Sequence, residues 1–483
     1  MRGLTARTLL FAFTADLIPL YALYALLFAA HGLSTARISA LLAIWSATTF
    51  LLEIPTGPWA DTVSRRVLLI LSGVLLTAGF TVWTVFPSFP GFALGFVLWG
   101  ASTSLRSGTF EALIYDGLAA RSATDRYPRL LGYLRAASES AALLGILAAA
   151  PLYAWGGYPL VSWSSIAIAG LHTASASTLP SAPKAVAAAA VDSLEDEPHT
   201  PAPRSGTSEA APRSGAFEAA SRSATSGAGA ATVADLPPIS SAGDRTPGPG
   251  TAPPASIDDD SPPKVAVPQP VSPQSAVSGA ARYAGMLRAG VREALRVRVI
   301  RRGVILVALL NGVTAFDEYF ALLAGHAGAG PSLAAVLVGL TMVGALAGAA
   351  LAGRTEGIRP RTMAAALCVA GVLFIGGSLL AGLAAHYPAA MYVLTAVGFS
   401  CVGIAYGIDF DADVLASARL QDAIEGPARA TITSVSGFVT EVIALLVFAF
   451  VAVVSAWLPI SVVVALLGVP LLLAGALSAI WRG

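Results

Sequence analysis

Charge is what this sequence has least of. Asp, Glu, Lys and Arg make up 12% of its 483 residues, where soluble domains run near 25%. So few charges cannot cover a water-facing surface, so lipid is the expected solvent for most of the exterior. Lysine is almost absent, with only Lys184 and Lys264. Cys368 and Cys401 are the only cysteines, both inside apolar runs, which excludes a disulfide scaffold or a cysteine zinc site. The net charge of +1 gives no bulk attraction for nucleic acid, and none is expected as a partner. No Gly-x-x-x-x-Gly-Lys-(Ser/Thr) loop is present to bind a nucleotide. Neither is a His-Glu-x-x-His or Gly-x-Ser-x-Gly arrangement. An enzyme, a cofactor or a metal site is therefore not expected.

What the chain has instead is apolar length. Hydrophobic residues make up 55% and mean hydropathy is +0.72. Stretches long enough to cross a bilayer fall at roughly 8–30, 38–57, 67–87, 91–117, 128–153 and 158–179. A second series falls at roughly 302–325, 331–353, 362–385, 390–417, 430–455 and 459–480. The first run exceeds the ~7–15 apolar residues of a signal-peptide core and reads as a membrane helix. The expected fold is an all-α membrane protein of two six-helix bundles, residues 1–180 and 301–483. Between them, residues 181–282 are rich in Ala, Pro, Ser and Gly, with Phe217 their one aromatic. Ordering such a segment costs entropy with no burial to offset it, so a disordered linker is expected. Residues 283–300 read as an interfacial amphipathic helix: Leu287, Val291, Leu295 and Val299 share one face beside a stripe of Arg288, Arg292 and Arg296. These arginines equally suit a role that only fixes topology.

The basic residues alternate between loops. Arg2 and Arg7, Arg65 and Arg66, Arg121 to Arg129, Arg288 to Arg302, Arg354 to Arg361, Arg419 and Arg429, and Arg482 fall at every second junction; the other junctions carry only Arg37 among Lys and Arg. By the positive-inside rule both termini and the linker are then cytoplasmic, in a multi-pass plasma-membrane protein.

Ionisable groups cost roughly 2.5–3.5 kcal/mol each at a bilayer centre, so they persist where they face protein or water. Here they cluster on some spans: Asp16; Glu53; Arg106, Glu111 and Asp116; Arg135 and Glu139; Asp317 and Glu318; Asp409, Asp411 and Asp413; and Glu441. Spans three, eight, nine and twelve have none in their interiors. This pattern describes a water-accessible cavity between two bundles. Depth counted along straight helices places Arg106 beside Glu139 and Glu111 beside Arg135. Either a structural salt-bridge cluster or a substrate or proton site results. Glu441 has no basic neighbour at its depth, and burial of an unpartnered carboxylate eases its protonation. The candidate pathway residues are Asp16, Arg106, Glu111, Arg135, Glu139, Asp317, Glu318, Asp409 and Glu441. Gly344 and Gly348 give the spacing for close helix contact.

Residues 53–66 read Glu-Ile-Pro-Thr-Gly-Pro-Trp-Ala-Asp-Thr-Val-Ser-Arg-Arg. This resembles the signature loop of the major facilitator superfamily, with Gly57, Asp61, Arg65 and Arg66 in register; Thr62 and Ser64 stand where the pattern has a basic residue and a glycine. Ser-Gly-Thr-Phe-Glu-Ala-Leu-Ile-Tyr-Asp at 107–116 and Arg-Ala-Thr-Ile-Thr-Ser at 429–434 resemble a bacterial drug-exporter-like branch. The resemblance implies a conformational latch of Gly57, Asp61, Arg65, Arg66 and Asp116. Asp61 would sit at the start of span eleven near Thr431 and Ser434, and Arg65 would pair with Asp116. These contacts would break when the cytoplasmic side opens. The antiporter signature of the family late in span five is poorly matched by Gly145 to Pro151. The function expected is secondary, proton-coupled export of a small amphipathic or cationic compound by a monomer embedded in the lipid bilayer. Uptake of an organic anion at Arg106 is the alternative; a non-transporting receptor using the linker is another.

Overall fold

The structure is a computed structural model that describes residues 2–180, 297–424 and 429–480; the side chains of 2, 54–62, 429–431, 434 and 479–480 are outside the description. The linker, and all but the last residues of the expected interfacial helix, therefore lie outside the described residues. Arg298–Val313 is one helix, so 298–300 belong to the first turn of span seven.

No strand occurs among the described residues. Ten of their helical stretches are long and apolar enough to cross a membrane. The longest, Thr124–Thr178, holds two crossings, because the chain reverses at Gly156 and Gly157. Gly157 has φ +62, a conformation open to glycine and costly for other residues. The rings of Tyr153 and Tyr158 meet across the turn at 4.9 Å. Span four, Phe89–Arg106 followed by Thr109–Ala119, is broken at Gly108 (φ +69) and completes the twelve.

The first helix of each half is also broken. Span one runs Arg2–Asp16, then a 3-10 turn Pro19–Ala22, then Tyr24–Ala30. Pro19 has no N–H to continue the ladder. Span seven runs Arg298–Val313, a 3-10 stretch Thr314–Tyr319, then Phe320–His326. Interrupted membrane helices free backbone groups and mark the places where secondary transporters hold their solutes.

Both halves form one compact unit, but they touch unevenly. On the face away from the termini, one apolar cluster draws on both halves, including Leu20, Phe28, Leu41, Phe316, Phe320 and Phe448. On the face holding the termini, separate clusters stay within single halves. One contains Leu4, Phe11, Ile114 and Leu179; others contain Leu306, Leu367 and Leu415, or Ile300, Leu420 and Ile432. Among the described residues, the halves are thus sealed by a shared apolar cluster at the opposite face, while the clusters at the terminal face each stay within one half.

Within the C-terminal half, spans eight (Pro331–Thr355) and ten (Met391–Ala423) pack through glycine. A Cβ on Gly344 would strike the Gly403 carbonyl, and one on Gly348 the Gly407 carbonyl. The two helices meet backbone to backbone, which lipid-embedded helices favour because no hydrophobic drive joins them. Gly348→Leu should destabilise the detergent-purified protein by about 1–3 kcal/mol through overpacking, measured as a lower thermal midpoint. Gly353→Ala, whose Cβ meets nothing within 4 Å, should leave the midpoint unchanged; equal effects would refute the backbone contact.

Candidate functional site

A cavity of about 310 Å³ lies between the halves. Span two (Thr35–Thr62) contributes Trp45, Ser46 and Thr49, and span four Thr103. Span seven presents Asn311, Asp317 and Glu318, and span eleven (Arg429–Val454) presents Glu441. Asp317 and Glu318 sit in the 3-10 stretch of span seven, and both line the cavity. Among the described residues, three carboxyl groups line the space and no Lys, Arg or His does.

Hydroxyl groups from the opposite half meet these acids. The Tyr24 hydroxyl donates to Glu318 Oε2, joining span one to span seven. Ser46 Oγ donates to Glu441 Oε2 at 2.9 Å, joining span two to span eleven. The Tyr319 hydroxyl donates to Ser39 Oγ at 3.0 Å. Inside the C-terminal half, the Tyr406 hydroxyl donates to Asp317 Oδ2 at 2.8 Å. Hydrogen bonds to ionised groups are roughly twice as strong as neutral ones, so the same carboxyls that line the cavity also fasten its closed side.

A smaller recess adjoins, lined by Tyr21, Trp99, Thr103, Arg106 and His172 among others. Tyr21 stacks on Trp99 at 5.1 Å, and Trp45 lies 5.2 Å from Trp99, so an aromatic wall continues from one space to the other. Arg106 ends the outer segment of span four and Asp16 ends the inner segment of span one. Arg106 Nη1 is 4.0 Å from Asp16 Oδ1, both partly exposed. His172 is buried, its Nδ1 3.2 Å from both the Thr14 hydroxyl and the Phe11 carbonyl; it pins span six to span one.

The residues singled out in the sequence therefore fall into groups. Asp317, Glu318 and Glu441 come together in the cavity. Asp16 and Arg106 form a pair beside it, which corrects the expected pairing of Arg106 with Glu139. The breaks in spans one and four bring Asp16 to Arg106, a displacement that straight-helix depth counting misses. No ion pair joins Glu111 to Arg135; both are exposed toward the terminal face, and Arg135 instead acts on Glu139 one turn along the same helix. Asp409 is wholly buried in span ten behind Tyr406. Tyr24, Ser39, Ser46, Trp45, Tyr319 and Tyr406 were not anticipated. The one signal for them was position: Tyr319 directly follows the Asp317–Glu318 pair, and Ser46 lies on a span that carries Glu53.

Of the latch residues, Gly57 and Asp61 have side chains outside the description. Arg65 pairs with Asp116 and donates to the Ala112 carbonyl at 3.1 Å, the contact the resemblance implies. Arg66 donates to the Ser177 carbonyl at the end of span six. Both contacts lie within the N-terminal half. The Arg65–Asp116 pair is the part of the implied latch that lies among the described side chains.

A family model described as Major Facilitator Superfamily matches residues 7–439. No curated protein matches the sequence. Among solved structures, the chain resembles the nucleoside transporter NupG at TM-score 0.60 and 10% identity, over 99% of each chain. It resembles a D-xylose-proton symporter at TM-score 0.56 and 14% identity, over 99% of this chain and 96% of that one. A bacterial homologue of the iron transporter ferroportin, in an inward-facing state, matches at TM-score 0.59 and 12% identity, over 99% and 98%. At these identities the likeness is one of fold.

The inter-half contacts carry a testable consequence. Tyr24→Phe removes a donor to a carboxylate, a bond worth about 1.5–3 kcal/mol, and only the state sealed at the opposite face contains it. The conformational balance should then move about tenfold or more toward opening that face. A cysteine at Thr49, in a background of Cys368→Ala and Cys401→Ala, reports this as faster labelling by an impermeant maleimide added on that side. An unchanged rate would show that the tyrosine does not hold the seal.

Proposed function

The chain belongs to the Major Facilitator Superfamily, a secondary transporter by family and fold, and we propose that it exports a small amphipathic or cationic compound in exchange for protons. The observation that carries this is the lining of the central cavity: Asp317, Glu318 and Glu441 beside the Trp45 and Phe448 rings, without a basic side chain. Its volume of about 310 Å³ is at the lower end of ligand sites.

A carboxylate there can neutralise a bound cation or hold a proton, but not both at once. Competition of the two for the same groups yields exchange: loading the cation releases protons, and protonation releases the cation. The aromatic wall suits an amphipathic cation, since a ring face within about 6 Å of a positive charge contributes roughly 0.5–2 kcal/mol. Alternating access follows from the contacts between halves. Tyr24 to Glu318 and Ser46 to Glu441 hold the opposite face shut. A cation engaging these carboxyls competes with the hydroxyls and loosens the seal, so that the solute is released on the far side. The Arg-bearing loops lie on the terminal face, which the positive-inside rule assigns to the cytoplasm of a plasma-membrane protein. Cargo then enters from the cytoplasm and leaves outward. The Arg65–Asp116 and Arg66–Ser177 contacts anchor the signature loop to spans four and six. Asp16 offsets the charge of Arg106, and Arg106 does not line the main cavity; the uptake of an organic anion therefore has less support.

Tetraphenylphosphonium is a suitable cation for reconstituted vesicles. Its accumulation should follow the imposed proton gradient and reverse when the gradient is reversed; equal rates in both directions would reject proton exchange. Trp45→Ala should weaken its binding about two- to thirtyfold, the range that a cation–π contact of roughly 0.5–2 kcal/mol predicts, as measured by titration calorimetry.

A further inference from the structure

The acids of the central cavity account for a positive charge on the solute. The recess beside them carries a base, and the transport cycle described above leaves it unused. Trp99, Thr103 and Arg106 stand at i, i+4 and i+7 of span four, so one helix face presents all three to the recess. Thr103 lines the main cavity as well. From Trp99 to Arg106 this face runs about 10 Å toward the terminal face, at 1.5 Å per residue. Two donors along it are idle. Arg106 Nη1 stands 4.0 Å from Asp16 Oδ1, beyond the ~3.2 Å reach of an N–H···O hydrogen bond. A guanidinium offers five N–H donors, and among the described residues that of Arg106 makes no hydrogen bond. The Tyr21 hydroxyl makes none there either. It lies near enough to Asp16, Arg106 and Glu318 for all three charges to act on it, which sets it between the recess and the cavity acids.

Asp16 decides which anions such a place can hold. It offsets the charge of Arg106, and three carboxyl groups stand in the adjoining cavity. A free anion therefore meets no net attraction. An anionic group stays only where a positive group of the same molecule is already held by the cavity acids, because tethering then presents it to the donors at a high effective concentration. The recess has a volume of about 10 Å³, room for about one water. It suits the tip of a carboxylate rather than a second solute. The wall formed by Trp45, Trp99 and Tyr21 connects the two spaces, and an apolar body lying along it would join the two charged ends.

We propose that the recess is an anion subsite of the solute site, in which Arg106 and the Tyr21 hydroxyl donate to a carboxylate, and that the cargo is an amphipathic zwitterion whose positive end meets Asp317, Glu318 and Glu441. This rests on the cation reading above and narrows its substrate class. The positive end still competes with protons for the cavity acids, so exchange is retained. What the subsite adds is selection. A molecule with both charges, set at opposite ends of an aromatic body, satisfies donors that a simple cation leaves idle, and a simple anion is refused.

The test uses the full chain in detergent, with bound tetraphenylphosphonium displaced by three compounds that share a ring: 4-(aminomethyl)benzoate, benzylammonium and benzoate. The zwitterion is expected to displace the cation at a concentration about tenfold or more below that of benzylammonium, the gain from hydrogen bonds to charged groups. Benzoate is expected not to displace it. Arg106→Gln should bring the zwitterion and benzylammonium to the same concentration. Tyr21→Phe, which keeps the ring on Trp99, should narrow the gap about threefold or more, and it decides the matter should Arg106→Gln fail to fold. Equal displacement by zwitterion and benzylammonium in the native protein would overturn the subsite while leaving the cation reading in place. So would displacement by benzoate as readily as by the zwitterion, or a native preference that persists in the folded variant. Native protein that does not bind tetraphenylphosphonium would overturn the cation reading, and the subsite with it.

Discussion

Hydroxyl-to-carboxyl contacts across the midline are the interaction on which the rest depends. A carboxylate cannot stand alone in a medium of low polarity, and here Glu318 and Glu441 find their donors on the other half of the molecule, at Tyr24 and Ser46. The apolar cluster around Phe28, Phe316 and Phe448 closes the same face, but apolar packing between membrane helices has little drive of its own when lipid tails are the alternative. The polar contacts give the closed face its specificity. They also tie the state of the acids to the state of the molecule, because anything that satisfies those carboxyls in another way removes the reason for the halves to meet there.

The broken helices make this arrangement possible. Span seven is interrupted at the level of the cavity, and Asp317 and Glu318 both line it there. In the other half, the interruptions after Asp16 and Arg106 bring an acid and a base together beside the cavity. Each break costs helical hydrogen bonds, which in a membrane is tolerable only where backbone groups find protein or water. Their location around the central space fits that requirement.

Much of the fold was legible from hydropathy alone, because an apolar run of spanning length has few alternatives. The membrane crossings of both halves lie close to the apolar runs, and the glycine spacing of Gly344 and Gly348 marks a real close approach. The acids were legible too, since a charge within such a run stands out. Their partners were not. Tyr24, Ser46 and Tyr406 are ordinary residues of membrane helices, and only the folded structure shows that they face carboxyls. Arg106 was assigned to Glu139 because depth was counted along unbroken helices; Pro19 signalled a weak point in span one, but nothing comparable announced the turn at Gly108. The Asp61 loop, which carries the family pattern most plainly, has its aspartate outside the described side chains, so its role rests on resemblance.

The glycine seam between spans eight and ten has a mechanical consequence. With carbonyl oxygens set against Gly344 and Gly348, the two helices have no flexible side chains between them to absorb a shift, and they must swing as one stiff plank. Span eight also touches span five of the other half, where the Leu147 side chain rests over Gly339 and Ser332 Oγ donates to the Ala150 carbonyl at 3.0 Å. That contact is placed to serve as a fulcrum. Any tilt about it would carry Asp409 and Asp413 bodily with the plank, and would change the distance of the ledge bearing these acids from Arg135.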